Sequence, residues 1–254
     1  MFRFATQKDV VAIGARKENE TKIISMKIIG KNFNDSADST VTVFTGVLDT
    51  ARKVNKIIDC VKIHFDTNNI EMCLDGFDLV KKINDVVSLF AIATLDLAVS
   101  SKMLYNASNN WEKIYVIKNV YLTIFESFKT FNKYREFLNI LSEKALIHLK
   151  ESFVNINNSI KIFKKEYRYE TDMKTIRNNI SGHISDNVDL YYNTIIKFDG
   201  DKTGEMIIEF FKITDDLNNF LTDILKQTYI REQNQEVLNL AKKVIPNFNE
   251  MLFK

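Results

Sequence analysis

The chain of 254 residues contains only seven glycines and one proline, Pro246. Sandwiches, barrels and disordered linkers need many turns built on these two residue types, so the composition disfavours all three and favours helix. The 35 basic and 33 acidic residues leave a net charge of +2, so any surface for nucleic acid or an anionic membrane must be local.

Two cysteines, Cys60 and Cys73, are too few for a disulfide scaffold or for a zinc site of about four ligands. We therefore expect a reducing compartment, the cytoplasm, with no metal and no cofactor. The first twenty residues contain no apolar stretch long enough for a signal peptide, and Asp96 interrupts the apolar run at 86–99. Neither secretion nor a membrane span is expected.

The N-terminal part of the chain, residues 1–40, has two short apolar runs at 10–13 and 23–29. Their alternation is poor and neither run reaches helix length. This pattern predicts a small appendage, either a hairpin or a loosely docked arm. The remainder, 41–254, is predicted to be a helical bundle.

Helical periodicity begins at residue 41. Apolar residues recur every three or four positions over 41–64 and again over 79–103. The middle of the second segment is apolar nearly all round, so we expect it at the buried centre of the bundle. The apolar stripe over 114–141 predicts one long helix, and 142–167 predicts the next.

The last strong stripe lies at 206–224, where acidic residues occupy the opposite face, and a short helix at 237–244 is predicted to stop near Pro246. Four to five long helices joined by short polar turns pack most simply as an up-and-down bundle. The predicted fold class is therefore all-α, with no substantial sheet and with the small N-terminal appendage.

The three histidines are the first candidates for chemistry, because only His changes protonation near neutral pH without help. His64 follows the end of a predicted helix and His148 lies inside one, and both positions indicate packing or solvated roles. His183 differs, since Arg177, Asn178 and Ser181 precede it within seven residues near a predicted helix start.

This grouping resembles the signature of the HEPN superfamily, helical-bundle proteins of which many are ribonucleases. Members carry Arg, a polar residue that is often Asn, and after a short spacer His, matched here by Arg177, Asn178 and His183. The resemblance covers about 79–227, and the chain is similar to the larger abortive-infection branches, which act in defence against phage. It implies RNA as substrate and a homodimer in which two copies of the motif meet across one cleft.

Related HEPN toxins that are silenced by a nucleotidyltransferase partner carry Tyr two places after His. This chain has Ser185 at that position, with Tyr191 and Tyr192 nearby. The chain therefore departs from that form of control. An antitoxin or another regulatory protein stays a candidate partner.

Metal-free RNA cleavage needs a base for the 2′-hydroxyl proton, an acid for the leaving oxygen and a cation beside the phosphate. His183 is suited to proton transfer, Arg177 to two hydrogen bonds with phosphate oxygens, and Asn178 to orienting the substrate or the imidazole. At about 100° per residue, six steps place Arg177 and His183 about 120° apart on a regular helix. The side chain of Arg177 is long enough to reach round the helix, Gly182 can loosen the turn, and the resemblance implies a homodimer. We expect this dimer to be the active unit, because each chain has one such His and the reaction needs two proton-transfer roles.

A structural role is the alternative for the same residues. Arg177 would then pair with Asp172 or Asp186, and His183 would cap a helix end. Under this interpretation the protein is a non-catalytic bundle that serves dimerisation or regulation.

The segment 161–168 clusters Lys161, Lys164, Lys165 and Arg168 with Phe163 and Tyr167, and we expect the cations to guide RNA by charge while the rings stack on bases. An ordinary exposed helix end is the alternative. The acidic pairs Asp199/Asp201 and Asp215/Asp216 lack the ligand spacing of a calcium loop, so no metal site is predicted there.

Overall fold

The computed structural model describes residues 19–71, 74–145, 147–181, 187–248 and 250 of the chain. Within these ranges the fold is all-α and has no strand, as predicted, but it has nine helices, of which five have 20 residues or more, where four to five long helices were expected. The helices are α1 (Asn19–Thr67), α2 (Asp75–Asn106), α3 (Asn110–Phe131), α4 (Arg135–Lys144), α5 (Ile147–Glu166), α6 (Lys174–Ile176), α7 (Val188–Ile195), α8 (Gly200–Leu225) and α9 (Thr228–Val244). Two π-helical turns, Tyr169–Met173 and Arg177–Ser181, flank α6.

The main core lies where α2, α3, α5 and α8 meet. Each of these helices contributes one phenylalanine to a cluster in which no ring is more than 2% exposed. Phe128 contacts Phe163 and Phe210 edge to face at 5.2 and 5.3 Å between ring centroids, and Phe90 stacks on Phe210 at 5.9 Å. The buried position of α2 agrees with the prediction from its apolar middle.

Helix α2 is also the one helix, among the described residues, that is long and apolar enough to cross a membrane. Its most apolar 18 residues have a mean hydropathy of 1.6, and half of that window is buried inside the bundle. The core helix of a folded bundle passes the same test of length and composition.

A second core holds the ends of the chain together. Ile58, Val61 and Phe65 on α1 pack with Phe77 at the start of α2 and with Val237 and Ala241 on α9. Ion pairs join α1 to α2 along their antiparallel length, namely Lys62–Asp78, Lys81–Asp59 and Lys102–Asp38. Helices α1 and α9 are therefore both attached to α2.

The structure corrects the expected hairpin or arm over part of residues 1–40. Helix α1 runs without a break from Asn19, whereas residues 1–18 lie outside the described part of the chain. The polar stretch 32–40 is typical of a turn, yet Ala37 is buried and Phe33 stacks on Tyr105 of α2. Contact with α2 therefore keeps this stretch helical against its local preference.

The expected single helix at 114–141 is two helices. Residues 132–134 form a turn, in which Lys133 and Tyr134 donate to the carbonyls of Thr130 and Phe131. Leu138 and Leu141 of α4 remain buried after the turn. The apolar stripe thus continues across a break in the backbone, which is why spacing alone did not reveal it.

Candidate functional site

The segment 168–181 departs twice from regular α-helical geometry. These departures determine where Arg177 and Asn178 lie. Arg168 has φ 50°, a left-handed conformation that is unfavourable for a residue with a side chain. The π-helical turns follow it. Such turns are rare in proteins, and those that occur often lie at functional sites. Tyr169, Met173, Ile176 and Ile180 point into the core, so Arg177 and Asn178 lie toward the surface.

Arg177 is held by partners on two elements. Its Nε donates to Oε1 of Glu126 on α3 at 2.7 Å, and its Nη1 donates to Oδ1 of the adjacent Asn178 at 3.1 Å. The side chain remains 32% exposed, and Nη2 makes no hydrogen bond to a described residue. The guanidinium is thus oriented by two hydrogen bonds while about one-third of the side chain stays exposed.

Of the two structural pairings raised by the sequence, the one between Arg177 and Asp172 is not formed. Asp172 instead pairs with Arg168, whose Nε lies 3.3 Å from Oδ2 of Asp172. Asp186 lies outside the described residues. Glu126 was missed because its position 51 residues away on another helix leaves no local signal.

The neighbouring charged side chains determine the pKa of the Glu126 carboxyl group. Burial acts to raise the pKa of Glu126, but the hydrogen bond from Arg177 and the charges of Lys129 and Arg177 prevail and lower it. Lys129 lies 3.4 Å from Oε2 of Glu126. Glu126 therefore stays ionised at neutral pH and fixes the guanidinium of Arg177.

His183 and the rest of 182–186 lie outside the described residues, so the approach of His183 to Arg177 stays a prediction. The flanks on both sides are anchored. Ser181 donates from Oγ to the carbonyl of Lys118 on α3 at 3.0 Å. Asn187 caps α7 by accepting from the backbone N–H of Leu190 at 2.8 Å.

An aromatic and cationic surface lies where Ser181 meets α3. The Nζ of Lys118 is 5.6 Å from the ring centroid of Tyr191, and Tyr191 contacts the ring of Tyr192 edge to face. Tyr192 is exposed. Lys118 was not a predicted site residue, because a single lysine on an amphipathic helix carries no distinguishing pattern.

The basic segment 161–168 divides between core and solvent. Phe163 and Tyr167 are buried, so the expected stacking of these rings on RNA bases is wrong. Lys164 is half-buried, with its Nζ 4.4 Å from the ring centroid of Tyr169. Burial lowers the pKa of Lys164, and the charge of Glu170 opposes that effect. The exposed cations are Lys161, Lys165 and Arg168.

The remaining candidates have ordinary structural roles. His64 is half-buried in the last turn of α1, and His148 is exposed on α5. Asp199 caps α8 through hydrogen bonds from the N–H groups of Asp201 and Lys202. Across the described ranges, no three His, Cys, Asp or Glu side chains are grouped as metal ligands.

No family model, no curated protein and no solved structure matches this chain. The resemblance to the HEPN superfamily therefore depends on the motif and on the all-α context alone.

Proposed function

We propose that this protein is a metal-independent endoribonuclease of HEPN type that acts in the cytoplasm, as part of a phage-defence or toxin system. Arg177 would bind the scissile phosphate, Asn178 would orient the guanidinium, and His183 would transfer the proton. The observation that supports this assignment best is the fixed guanidinium of Arg177, with Nη2 unbonded among the described residues. A planar donor held in one orientation suits a phosphodiester.

The proposed reaction is a transesterification. The 2′-oxygen forms a bond to phosphorus as His183 takes its proton, the bond to the 5′-oxygen breaks, and an acid protonates that oxygen. The products are a 2′,3′-cyclic phosphate and a 5′-hydroxyl. Since one His cannot be neutral base and protonated acid at once, a second copy of the motif in a homodimer would supply the acid.

The basic segment 161–168 would supply part of the surface that binds RNA. Lys161, Lys165 and Arg168 are exposed, and each would approach a backbone phosphate, Arg168 in place of its pairing with Asp172. Lys164 would contribute less, because its ammonium lies against the Tyr169 ring. An antitoxin or regulatory protein would limit cleavage in the cell.

The second candidate function is a non-catalytic bundle used for dimerisation or regulation. One observation favours it, because the ion pair between Arg177 and Glu126 gives the arginine a role in joining the motif segment to α3. Under this alternative Arg177 and His183 affect folding or assembly and have no effect on RNA.

Matched substitutions separate the two functions. Arg177→Ala and His183→Ala should each abolish cleavage of single-stranded RNA by a purified chain that remains helical by circular dichroism. Arg135→Ala, which removes a surface arginine bonded to Asn157, and His148→Ala are the controls and should leave the rate unchanged. Equal rates for all four variants would reject the nuclease.

A further inference from the structure

Helix α1 is longer than the helix on which it packs. Phe33 stacks on Tyr105 at 4.7 Å, and Asn106, the last residue of α2, donates to Oδ1 of Asn34. Residues 19–32 therefore continue past the end of α2, by about 21 Å at 1.5 Å per residue. We call residues 19–32 the α1 overhang.

The sequence of the α1 overhang is unsuited to solvent on all sides. It contains the apolar residues Ile23, Ile24, Met26, Ile28 and Ile29. Its charged residues are Lys22, Lys27 and Lys31 against Glu20. Apolar side chains in water are unfavourable unless a partner surface covers them. The overhang therefore needs an apolar surface, preferably one with acidic residues nearby.

An apolar groove of about 500 Å³ lies at the same end of the bundle, where α2 ends and α3 begins. We call it the Trp111 groove. Its exposed apolar members are Met103, Trp111 and Tyr115, which are 46%, 58% and 58% exposed. Exposed Ile92 and Val99 extend the surface along α2, at seven-residue spacing. A group of exposed apolar side chains that includes a tryptophan is typical of a protein-binding site.

Acidic groups accompany this surface. Glu112 lines the groove and accepts hydrogen bonds from the backbone N–H of Ser108 and from the side chain of Asn109. These hydrogen bonds lower the pKa of Glu112, so it is ionised at neutral pH. Asp96 is exposed on α2 between Ile92 and Val99. The charges of the surface are thus opposite to those of the overhang.

The overhang cannot cover the groove of its own chain. Helix α1 is continuous and antiparallel to α2, so residues 19–32 extend beyond the last residue of α2 and do not run back along Met103, Val99 and Ile92. A second copy has the same overhang and can bring it from the opposite direction. Self-complementary surfaces of this kind form two-fold dimers.

We propose that the α1 overhang of one copy binds in the Trp111 groove of a second copy, and that the reciprocal contact forms at the same time. The proposal does not depend on nuclease activity. The contact lies beside the end of α3 to which the motif is attached, because Lys118 accepts the hydrogen bond from Ser181 one turn beyond Tyr115.

Sedimentation velocity and tryptophan fluorescence of the full chain test this dimer together. Trp111 is the single tryptophan, so its emission reports on the groove alone. The expected result is a dimer at micromolar concentration whose emission shifts to the blue as association proceeds. A monomer at all concentrations overturns the proposal, whatever the wavelength of its emission.

Two variants then identify the contacting surfaces. The groove variant is Met103→Glu, and the overhang variant replaces Ile23, Ile24, Ile28 and Ile29 by Gln, which preserves helix propensity. Each should weaken association at least tenfold. Ile162→Glu is the matched control, since Ile162 is 64% exposed on α5, and it should leave association unchanged.

Mixing the two variants gives the decisive outcome. The groove variant retains an intact overhang and the overhang variant retains an intact groove, so the mixture can form one of the two contacts. We expect a heterodimer where neither variant associates alone. No association in the mixture, or a dimer that survives either set of substitutions, overturns the proposal, and a misfolded variant is recognised by circular dichroism.

Discussion

Arg177 is placed by three side chains, and each has a distinct part. Glu126 fixes Nε from α3, Asn178 fixes Nη1 from the next position, and Lys129 shares the carboxylate of Glu126. The ion pair joins two helices at a site about one-third exposed. Exposed pairs contribute roughly 0.2–1 kcal/mol to stability, so the geometry constrains the guanidinium more than it stabilises the fold.

The first prediction concerns the shape of the cation. Arg177→Lys keeps the charge but loses the planar fork, so we expect RNA cleavage to fall about 10²-fold, as when one phosphate donor is removed. The free energy of unfolding should change by about 1 kcal/mol or less. Initial rates and urea denaturation measure the two quantities. Wild-type cleavage by the lysine variant would show that a point charge is sufficient.

The second prediction follows from the lowered pKa of Glu126. Its contribution to stability is fully present above 4.5, the ordinary pKa of a glutamate, and is lost as pH falls through the lower folded-state value. Glu126→Gln lacks this ionisation, so wild type should lose more stability than the variant as the pH is taken below 4.5. Urea denaturation at a series of pH values measures this, and parallel profiles would contradict the ion pair.

At the scale of the element, the segment 168–181 holds the most unusual backbone near the motif. The left-handed Arg168 ends α5, and the π-helical turn of Tyr169–Met173 follows it at once. The side chain of Tyr169 is fixed against α3, since its ring stacks on Phe125 at 4.7 Å and its hydroxyl donates to the carbonyl of Phe125. The backbone is therefore held in a fixed position where the segment begins.

The third prediction uses this backbone. Arg168→Gly removes the steric cost of a left-handed residue and should stabilise the chain by up to about 1 kcal/mol. Arg168→Ala is the control and should give no gain, since alanine keeps the Cβ while both variants lose the exposed pair with Asp172. Thermal unfolding compares them. Equal melting temperatures for the two variants would mean that the conformation is not strained.

The sequence predicted a helix correctly where its stripe of apolar residues faces the buried core. Helices α2 and α8 were found because their apolar spacing faces one core. The early part of α1 was missed, since Ser, Thr, Asn and Asp favour turns until a partner helix covers them. For the site, the sequence identified Arg177 and Asn178 as neighbours, but the link to Glu126 needs the packing of α3 against the motif segment.

For the whole molecule, the four phenylalanines shared by α2, α3, α5 and α8 join the helix that carries Glu126 to the helix that precedes the motif. Phe210 contacts the other three rings, at 5.3 to 6.5 Å between centroids. Because no ring in this cluster is more than 2% exposed, the site is supported by a close-packed centre.

The fourth prediction tests this support. Phe210→Ala should lower the free energy of unfolding by about 3–5 kcal/mol, through lost burial and the cavity that it leaves. Ile196→Ala, at an exposed position on the end of α7, should change it by less than about 0.5 kcal/mol. Urea denaturation measures both. A small effect of Phe210→Ala would show that the cluster is not the centre of stability.

The chemistry at the ends of cleaved RNA tests the nuclease most directly. Purified protein is incubated with a defined single-stranded RNA in the presence of EDTA, and the products are analysed by mass spectrometry. We predict fragments with 2′,3′-cyclic phosphate and 5′-hydroxyl ends, formed by the wild type and not by His183→Ala. Intact RNA, cleavage that EDTA abolishes, or the same fragments from His183→Ala would contradict the proposed function.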